Sequence, residues 1–281
     1  GNAWIGTFKQ GLIYHSNQET IYYNQENSPF SDSTVINDIA IDGRNNVWIA
    51  CESLVKFDGQ DFHIYNKSNT PIPEDYIRSV EIDSEDNVWF SSSRSREGGL
   101  VKYDGLNWKV YSPINTLLPA NSISSIAIDG RDRVWIAMNR YVDSAYLAVL
   151  ENEDISVFTS SDIGFTPYWM GNIEAGTDGK VYGSVDYSLS SMWGHEGPQV
   201  FVFDGLISEQ YNYDKFSNVK FISLDRNNRV WCGVYGGYAV LDGSDWIKED
   251  SCFREEGLFA IEQAPSGAMW FGTGDGVYVS K

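Results

Sequence analysis

The stretch Val47-Trp48-Ile49-Ala50 returns in similar form six more times along the chain. The other copies are Ala3-Trp4-Ile5-Gly6, Val88-Trp89-Phe90-Ser91, Val134-Trp135-Ile136-Ala137, Val181-Tyr182-Gly183, Val230-Trp231-Cys232-Gly233 and Met269-Trp270-Phe271-Gly272. Their aromatic residues lie 44, 41, 46, 47, 49 and 39 positions apart, with a mean of about 44. A period of this length is typical of β-propeller blades, each of which is a four-stranded sheet.

Each repeat also supplies the other strands of a blade. In the second repeat, the runs 35–41, 47–50, 54–57 and 62–65 predict strands A, B, C and D in chain order. The pair Asp58-Gly59 between the last two runs favours a tight hairpin, because glycine accepts a positive φ. Strand B is continuously apolar, as expected for a strand that neighbouring blades cover on both faces.

The two ends of the chain carry partial repeats, because the first begins at strand B and the last stops after strand C. The pattern therefore predicts 26 strands, two more than six full blades need and two fewer than seven. We predict an all-β fold, a β-propeller of seven four-stranded blades with incomplete first and last blades. Residues 1–281 would form a single propeller domain. A six-bladed propeller with two additional strands is the alternative.

The charge of the chain excludes several classes of partner. The 281 residues include 39 acidic and 20 basic side chains, for a formal charge of −19. Nucleic acids and anionic membrane surfaces both select clustered Lys and Arg, so neither is expected as a partner.

No apolar run approaches the roughly 20 residues of a membrane-spanning helix, and membrane insertion is not expected. The three cysteines lack CxxC spacing, which argues against a disulfide framework or a zinc site.

One repeat carries a family resemblance most clearly. It reads Ile77-Arg78-Ser79-Val80-Glu81-Ile82-Asp83, then Val88-Trp89-Phe90, then Gly99-Leu100-Val101-Lys102-Tyr103-Asp104-Gly105, then Trp108-Lys109-Val110-Tyr111. This pattern resembles the two-component regulator propeller repeat, over essentially the whole chain. The fifth repeat departs from the pattern because Tyr182 replaces the tryptophan.

The resemblance implies a location and a role. Propellers of this family are common in the extracytoplasmic sensors of hybrid two-component systems of Bacteroidetes, where members are similar to sensors for oligosaccharides. A periplasmic or cell-surface location is therefore expected. The sequence contains no kinase or receiver, so sensing would be the work of a free-standing or truncated module.

The long connections of the chain indicate where a ligand would bind. In a propeller the D–A and B–C connections share one face, and here they are longer than the A–B and C–D turns on the other face. The longest lie at 92–98, 139–144, 163–170 and 186–197, in the third to fifth repeats. Aromatic rings there would stack on a sugar, and charged groups would hydrogen-bond to it. The candidate ligand-binding residues are Arg94, Arg140, Tyr141, Tyr168, Trp169, Trp193 and His195. Alternatively, the two tryptophans fold inward and fill the loops that carry them.

These features favour a non-catalytic propeller that binds a small molecule or an oligosaccharide, with no catalytic residue, no cofactor and no metal. A protein–protein interaction scaffold is the alternative, since unfinished edge strands could pair with another chain. A third hypothesis is a lyase or hydrolase that uses His195 beside Glu196, similar in general architecture to virginiamycin B lyase-like propellers. The aspartates that end the A strands look like calcium ligands, but we predict that they cap the following turns. They are Asp42, Asp83, Asp129, Asp178 and Asp225.

Overall fold

The computed structural model describes residues 2–92, 97–140, 144–167, 169–186, 199–212, 219–234, 237–250, 258–274 and 276–280. The chain forms two compact units, Gly1–Ile126 and Ala127–Lys281. The boundary between the two units falls inside strand β12 (Ile123–Ile128). The prediction of a single domain stays a prediction.

The first unit contains three antiparallel sheets whose strands pair with their neighbours in sequence. The first sheet consists of β1 (Ala3–Gly6), β2 (Leu12–His15) and β3 (Thr20–Tyr23). The second consists of β4 (Asp38–Ile41), β5 (Val47–Ala50), β6 (Leu54–Phe57) and β7 (Phe62–Tyr65). The third consists of β8 (Ile77–Ile82), β9 (Val88–Ser92), β10 (Gly99–Tyr103) and β11 (Trp108–Tyr111).

The second unit continues the same pattern. After β12 come β13 (Val134–Arg140), β14 (Ser144–Glu151), β15 (Asp154–Phe158) and one short helix, α1 (Ser160–Ile163). The fifth sheet consists of β16 (Trp169–Ala175), β17 (Val181–Asp186), β18 (Val200–Phe203) and β19 (Ser208–Tyr211). The sixth consists of β20 (Val219–Leu224), β21 (Val230–Val234), β22 (Gly237–Asp242) and β23 (Asp245–Asp250). The last consists of β24 (Leu258–Gln263), β25 (Met269–Thr273) and β26 (Gly276–Val279).

The predicted fold class is confirmed. The described residues contain 26 strands in seven antiparallel sheets, so the protein is an all-β, seven-bladed β-propeller and the six-bladed alternative is wrong. The first and last sheets have three strands each, as predicted. The predicted strand over 35–41 begins only at Asp38. Its first residues are used elsewhere, since the amide of Ile36 donates to the carbonyl of Thr7 at 3.2 Å.

In four of the sheets, a carboxylate closes the A–B turn and fixes the tryptophan of strand B. In the second sheet, Oδ1 of Asp42 accepts the amides of Arg44 (3.0 Å) and Asn46 (2.8 Å). Its Oδ2 accepts the indole N–H of Trp48 at 3.0 Å. The same indole bond joins Trp89 to Asp83 (2.8 Å), Trp135 to Asp129 (3.0 Å) and Trp231 to Asp225 (3.2 Å). The predicted role of these aspartates in the turns is therefore confirmed.

In the fifth sheet Tyr182 stands in place of the tryptophan, and its hydroxyl makes the corresponding hydrogen bond. Tyr182 donates its hydroxyl to Oδ2 of Asp178 at 2.8 Å, in the place of an indole N–H. The tyrosine is buried, as are Trp48, Trp89 and Trp135 at the same position of their sheets. A hydrogen-bond donor on a large ring therefore remains at this position.

Candidate functional site

The structure describes only part of the predicted ligand-binding set. Arg94, Tyr141, Tyr168, Trp193 and His195 lie outside the described residues. The backbone of Arg140 ends strand β13, and Trp169 begins strand β16. The hypothesis of catalysis by His195 and Glu196 also falls outside the described residues.

Trp169 lies in a strand rather than in the loop to which the sequence assigned it. It pairs with Asp186, the last residue of β17, and its side chain is half-buried. Strand β16 can extend this far because it contains a bulge between Met170 and Ile173. Within the bulge lies Gly171, where a Cβ atom would collide with Oγ of Ser184 on the paired strand. A glycine at this position therefore leaves room for the hydroxyl of Ser184.

A buried asparagine holds the end of β13 against the start of β16. Asn139 donates its Nδ2 to the carbonyl of Met170 at 2.9 Å and accepts the amide of Met170 on Oδ1 at 2.8 Å. In the sequence, Arg140 follows Asn139 and Trp169 precedes Met170. The backbones next to the two candidate site residues with described positions are thus joined by one side chain.

Two further contacts involve the connections next to β14, β16 and β17 and lie near the Asn139–Met170 pair. The amide of Ala145, at the start of β14, donates to the carbonyl of Pro167 at 3.4 Å. The pairing of Trp169 with Asp186 sets the point at which the connection 187–198 begins. Strands β13 and β14 leave only residues 141–143 between them, so the connection predicted over 139–144 is shorter than expected. The ends of this connection and of two longer ones, before β16 and after β17, therefore meet at one edge of the second unit.

The edge rests on a packed apolar core. Met170, Leu147 and Phe201 are fully buried in one cluster, and Phe165 packs against it from the connection after α1. Buried side chains fix the backbones to which the candidate residues belong. Ligand-binding groups are held best by rigid elements of this kind.

The connection before Trp169 begins with helix α1, which the sequence analysis missed. The carboxylate of Asp162 accepts both the amide and the hydroxyl of Thr159 at 2.7 Å, across the first turn of the helix. Gly164 ends the helix with a φ of 77°, which favours glycine. The sequence signal for this short helix consists of Thr159 and Asp162 at its start and Gly164 at its end.

The corresponding connections of the first three sheets share a different structure. An asparagine accepts the backbone amide three residues before it and donates to the end of strand D, while the Ser or Thr after it donates to a backbone carbonyl. The asparagines are Asn27, Asn69 and Asn115, followed by Ser28, Thr70 and Thr116. Phe30, Ile72 and Leu118 then enter the core. These three connections are scaffold, and the fourth breaks their pattern.

The first unit holds a separate polar network between β4 and β8. Oδ2 of Asp38 accepts the hydroxyl of Ser79 at 3.1 Å and the amide of Val80 at 3.0 Å. Burial raises the pKa of the Asp38 carboxyl to about 6, although these hydrogen bonds partly oppose the shift. The neighbouring Asn37 donates to the carbonyl of Ile77 at 2.7 Å. Both side chains join adjacent sheets.

The cysteines and His63 were further candidates for a chemical role, and those that the structure describes have structural surroundings. Cys51 and Cys232 are buried, and burial raises the pKa of both thiols. Among the described residues, no group of three or more His, Cys, Asp or Glu side chains could hold a metal ion. His63 lies on the surface and is bonded to Asp58 at 2.8 Å.

Comparison with known proteins gives the fold and no family. No protein-family model matches the chain, and no curated protein matches it. The extracellular domain of the hybrid two-component system BT3049 from B. thetaiotaomicron is 20% identical with a TM-score of 0.67, over 87% of this chain and 33% of that one. PorZ, a surface component of the type-IX secretion system of Porphyromonas gingivalis, is 15% identical with a TM-score of 0.74, over 98% of this chain and 44% of that one. At these identities the two structures are similar to this chain in fold alone.

The third of these structures is an enzyme. Streptogramin B lyase is 11% identical with a TM-score of 0.69, over 88% of this chain and 82% of that one. The chain spans about a third of the BT3049 domain and less than half of PorZ. Similar structures thus include the extracellular domain of a hybrid two-component system and a lyase. In the part of the chain that is described, no helix is long and apolar enough to cross a membrane.

Proposed function

We propose that this protein is a non-catalytic, extracytoplasmic sensor-type propeller that binds an oligosaccharide at the edge formed by the fourth and fifth sheets. The observation that carries the proposal is the reciprocal pair of hydrogen bonds between Asn139 and Met170. This pair joins the backbone next to Arg140 to the backbone next to Trp169, where the ends of three connections meet. The first three D–A connections share one structural turn, which favours this edge over the first unit as the binding site.

The chemistry of the edge suits a sugar. Trp169 is half-buried rather than buried, and an indole ring could stack on the apolar face of a pyranose. The connections that begin at this edge contain Tyr141, Trp193 and His195, which add rings and hydrogen-bonding groups. The similarity in fold to an extracellular two-component domain supports the sensor role and the location.

A thermal-shift screen against plant and host oligosaccharides tests the proposal. A ligand present at about 100 times its Kd stabilises the folded state by about 2.7 kcal/mol, which such a screen resolves. We expect a shift with wild type that is lost in the Trp169→Ala/Trp193→Ala variant. Tyr22→Ala, which removes an exposed ring from β3 in the first unit, is the matched control and should keep the shift.

Two results would count against the proposal. The absence of a shift across the panel would remove the oligosaccharide as ligand. An equal shift in wild type and the double variant would place the sugar elsewhere on the protein.

A further inference from the structure

Strand β8, the first strand of the third sheet, contains a bulge that the first strand of the second sheet lacks. Strand β4 pairs with β5 continuously over all four of its residues. Along β8 the register to β9 shifts between Ile77 and Val80, so Arg78 and Ser79 together stand opposite the single residue Ser91. Bulges are frequent beside functional sites, because they change the direction in which a side chain points.

Two buried serines of β9 hold this bulge in place. The amide of Ser79 donates to Oγ of Ser91 at 3.1 Å. Oγ of Ser92 accepts the amide of Glu74 at 2.8 Å and donates to the carbonyl of Glu74 at 2.7 Å. Both serines are 0% exposed. The backbone that carries Arg78 is therefore fixed from the side of β9.

Strand β4 and the residue before it fix the same bulge from the other side. Strand β4 packs against β8, so the first strands of the second and third sheets lie side by side. Nδ2 of Asn37 donates to the carbonyl of Ile77 at 2.7 Å, and Oδ2 of Asp38 accepts the hydroxyl of Ser79 at 3.1 Å. The residues before and after Arg78 are thus both bonded across to the second sheet.

The side chain of Arg78 itself has no such bond. Arg78 is exposed, whereas the residues on either side of it in β8 are buried. Its guanidinium makes no hydrogen bond, ion pair or ring contact with any residue that the structure describes. Arg44, the other described arginine of the first unit, places Nε 4.0 Å from Oδ2 of Asp86. In a chain with 39 acidic and 20 basic residues, the charge of Arg78 is left available to a ligand.

The fold does not require an arginine at this position. The fifth sheet repeats the bulge in β16, where Gly171 takes the place of Arg78. The amide of the next residue, Asn172, donates to Oγ of Ser184 at 3.2 Å, in the same way as the corresponding amide of β8. The bulge therefore forms without any side chain at this position, and Arg78 is not needed to build it.

We infer that Arg78 binds an oxyanion, the carboxylate or phosphate of a small molecule, at the inner edge of the third sheet. A guanidinium donates two parallel N–H bonds to either group, and such charge-assisted bonds are roughly twice as strong as neutral ones. The bonds that hold the bulge give the arginine the rigid support that a binding group needs. This site lies in the first unit and does not depend on the proposed oligosaccharide site.

Isothermal titration calorimetry on the whole chain tests the inference. The probes are succinate and inorganic phosphate at constant ionic strength, and uncharged succinamide is the control ligand. Arg78→Gln removes the charge, whereas Arg78→Lys keeps the charge and loses the planar pair of donors. Arg44→Gln removes the charge of the other described arginine and is the matched control protein.

We expect wild type and Arg44→Gln to bind at least one of the two anions alike, and neither protein to bind succinamide. Arg78→Gln should bind that anion at least about tenfold more weakly, and Arg78→Lys should have an intermediate affinity. Binding of succinate alone would identify a carboxylate ligand, and binding of phosphate alone would identify a phosphate ligand.

Four results would overturn the inference. The first is that neither anion binds wild type, and the second is that Arg78→Gln binds the anion as tightly as wild type does. The third is that Arg78→Gln does not fold in a urea titration, since the arginine would then be structural. The fourth is that Trp169→Ala abolishes anion binding, because the anion would then occupy the edge proposed for the oligosaccharide. Loss of oligosaccharide binding alone leaves the Arg78 site unaffected.

Discussion

The indole N–H of Trp89 donates a hydrogen bond of 2.8 Å to Oδ2 of Asp83. Burial acts to raise the pKa of this carboxyl, but the hydrogen bonds from Trp89 and Asn87 outweigh it and the pKa is lowered. The charged carboxylate is therefore the form that the fold selects. The bond explains why an aspartate and a tryptophan recur six residues apart.

Removal of this carboxylate should destabilise the protein. In Asp83→Ala the indole of Trp89 and the amide of Asn87 lose their acceptor in a buried place, and we expect a loss of about 1–3 kcal/mol. Urea denaturation measures the change. Asp61→Ala, at an exposed aspartate, should unfold with a midpoint close to that of wild type. Equal midpoints for the two variants would contradict the role given to the Asp83–Trp89 bond.

The tryptophans of strands β5, β9 and β13 are core residues, and Trp135 is the most buried of them. Its ring lies 5.9 Å from that of Phe158 and 6.3 Å from that of Phe203, measured between centroids. We expect Trp135→Ala to cost about 3–5 kcal/mol. Trp135→Phe, which keeps an aromatic ring, should cost less. A Trp135→Ala protein that melts like wild type would refute this packing.

Asp38 should give the protein an unusual response to pH. Its carboxyl has a pKa of about 6 in the folded protein against 3.8 for an ordinary aspartate, so the folded state binds this proton more tightly than the unfolded state does. The contribution of Asp38 to stability is therefore full below pH 4 and is lost as the pH rises through 6. Asp38→Asn removes it.

Unfolding measured from pH 4 to 8 in both proteins tests this sign. The free energy of unfolding of wild type relative to Asp38→Asn should fall as the pH rises from 4 to 7. The difference between the two proteins isolates Asp38 from the A–B turn aspartates, whose lowered pKa values make them lose stability on acidification. A constant difference over this range would show that Asp38 does not titrate there.

The link between β13 and β16 should affect ligand binding as well as stability. Asn139→Ala leaves the amide and carbonyl of Met170 without partners, which we expect to cost about 1–3 kcal/mol. Asn172 makes the same two bonds to Ile222, at 2.7 and 2.8 Å, and Asn172→Ala is the matched control. Both variants should lose similar stability, whereas only Asn139→Ala should weaken oligosaccharide binding in a titration. Equal binding by the two would remove Asn139 from the site.

The sequence predicted the strands better than the connections. Strands such as β5, β6 and β7 begin and end where predicted, because apolar runs and Asp-Gly turns act within a few residues. Helix α1 and the shared turns at Asn27, Asn69 and Asn115 were missed. Their signals are short polar motifs, which are read reliably only once the end of strand D is known.

The candidate site shows the same limit. Its neighbourhood of Arg140 and Trp169 follows from Asn139, whose partner Met170 lies 31 residues away in sequence. A contact over that separation depends on how two sheets pack, and periodicity does not encode it. The other five candidate residues stay predictions, since they lie outside the described residues.

The order of strands in each sheet has a consequence for the rate of folding. Every described strand pairs with the strand next to it in the chain, and the indole bond that closes an A–B turn spans only six residues. Contacts of such low sequence separation cost little loop-closure entropy. Each sheet can therefore begin to form as soon as its own residues have been synthesised. We expect this all-β chain to fold faster than a β-sandwich of equal length, whose strands pair across long stretches of sequence.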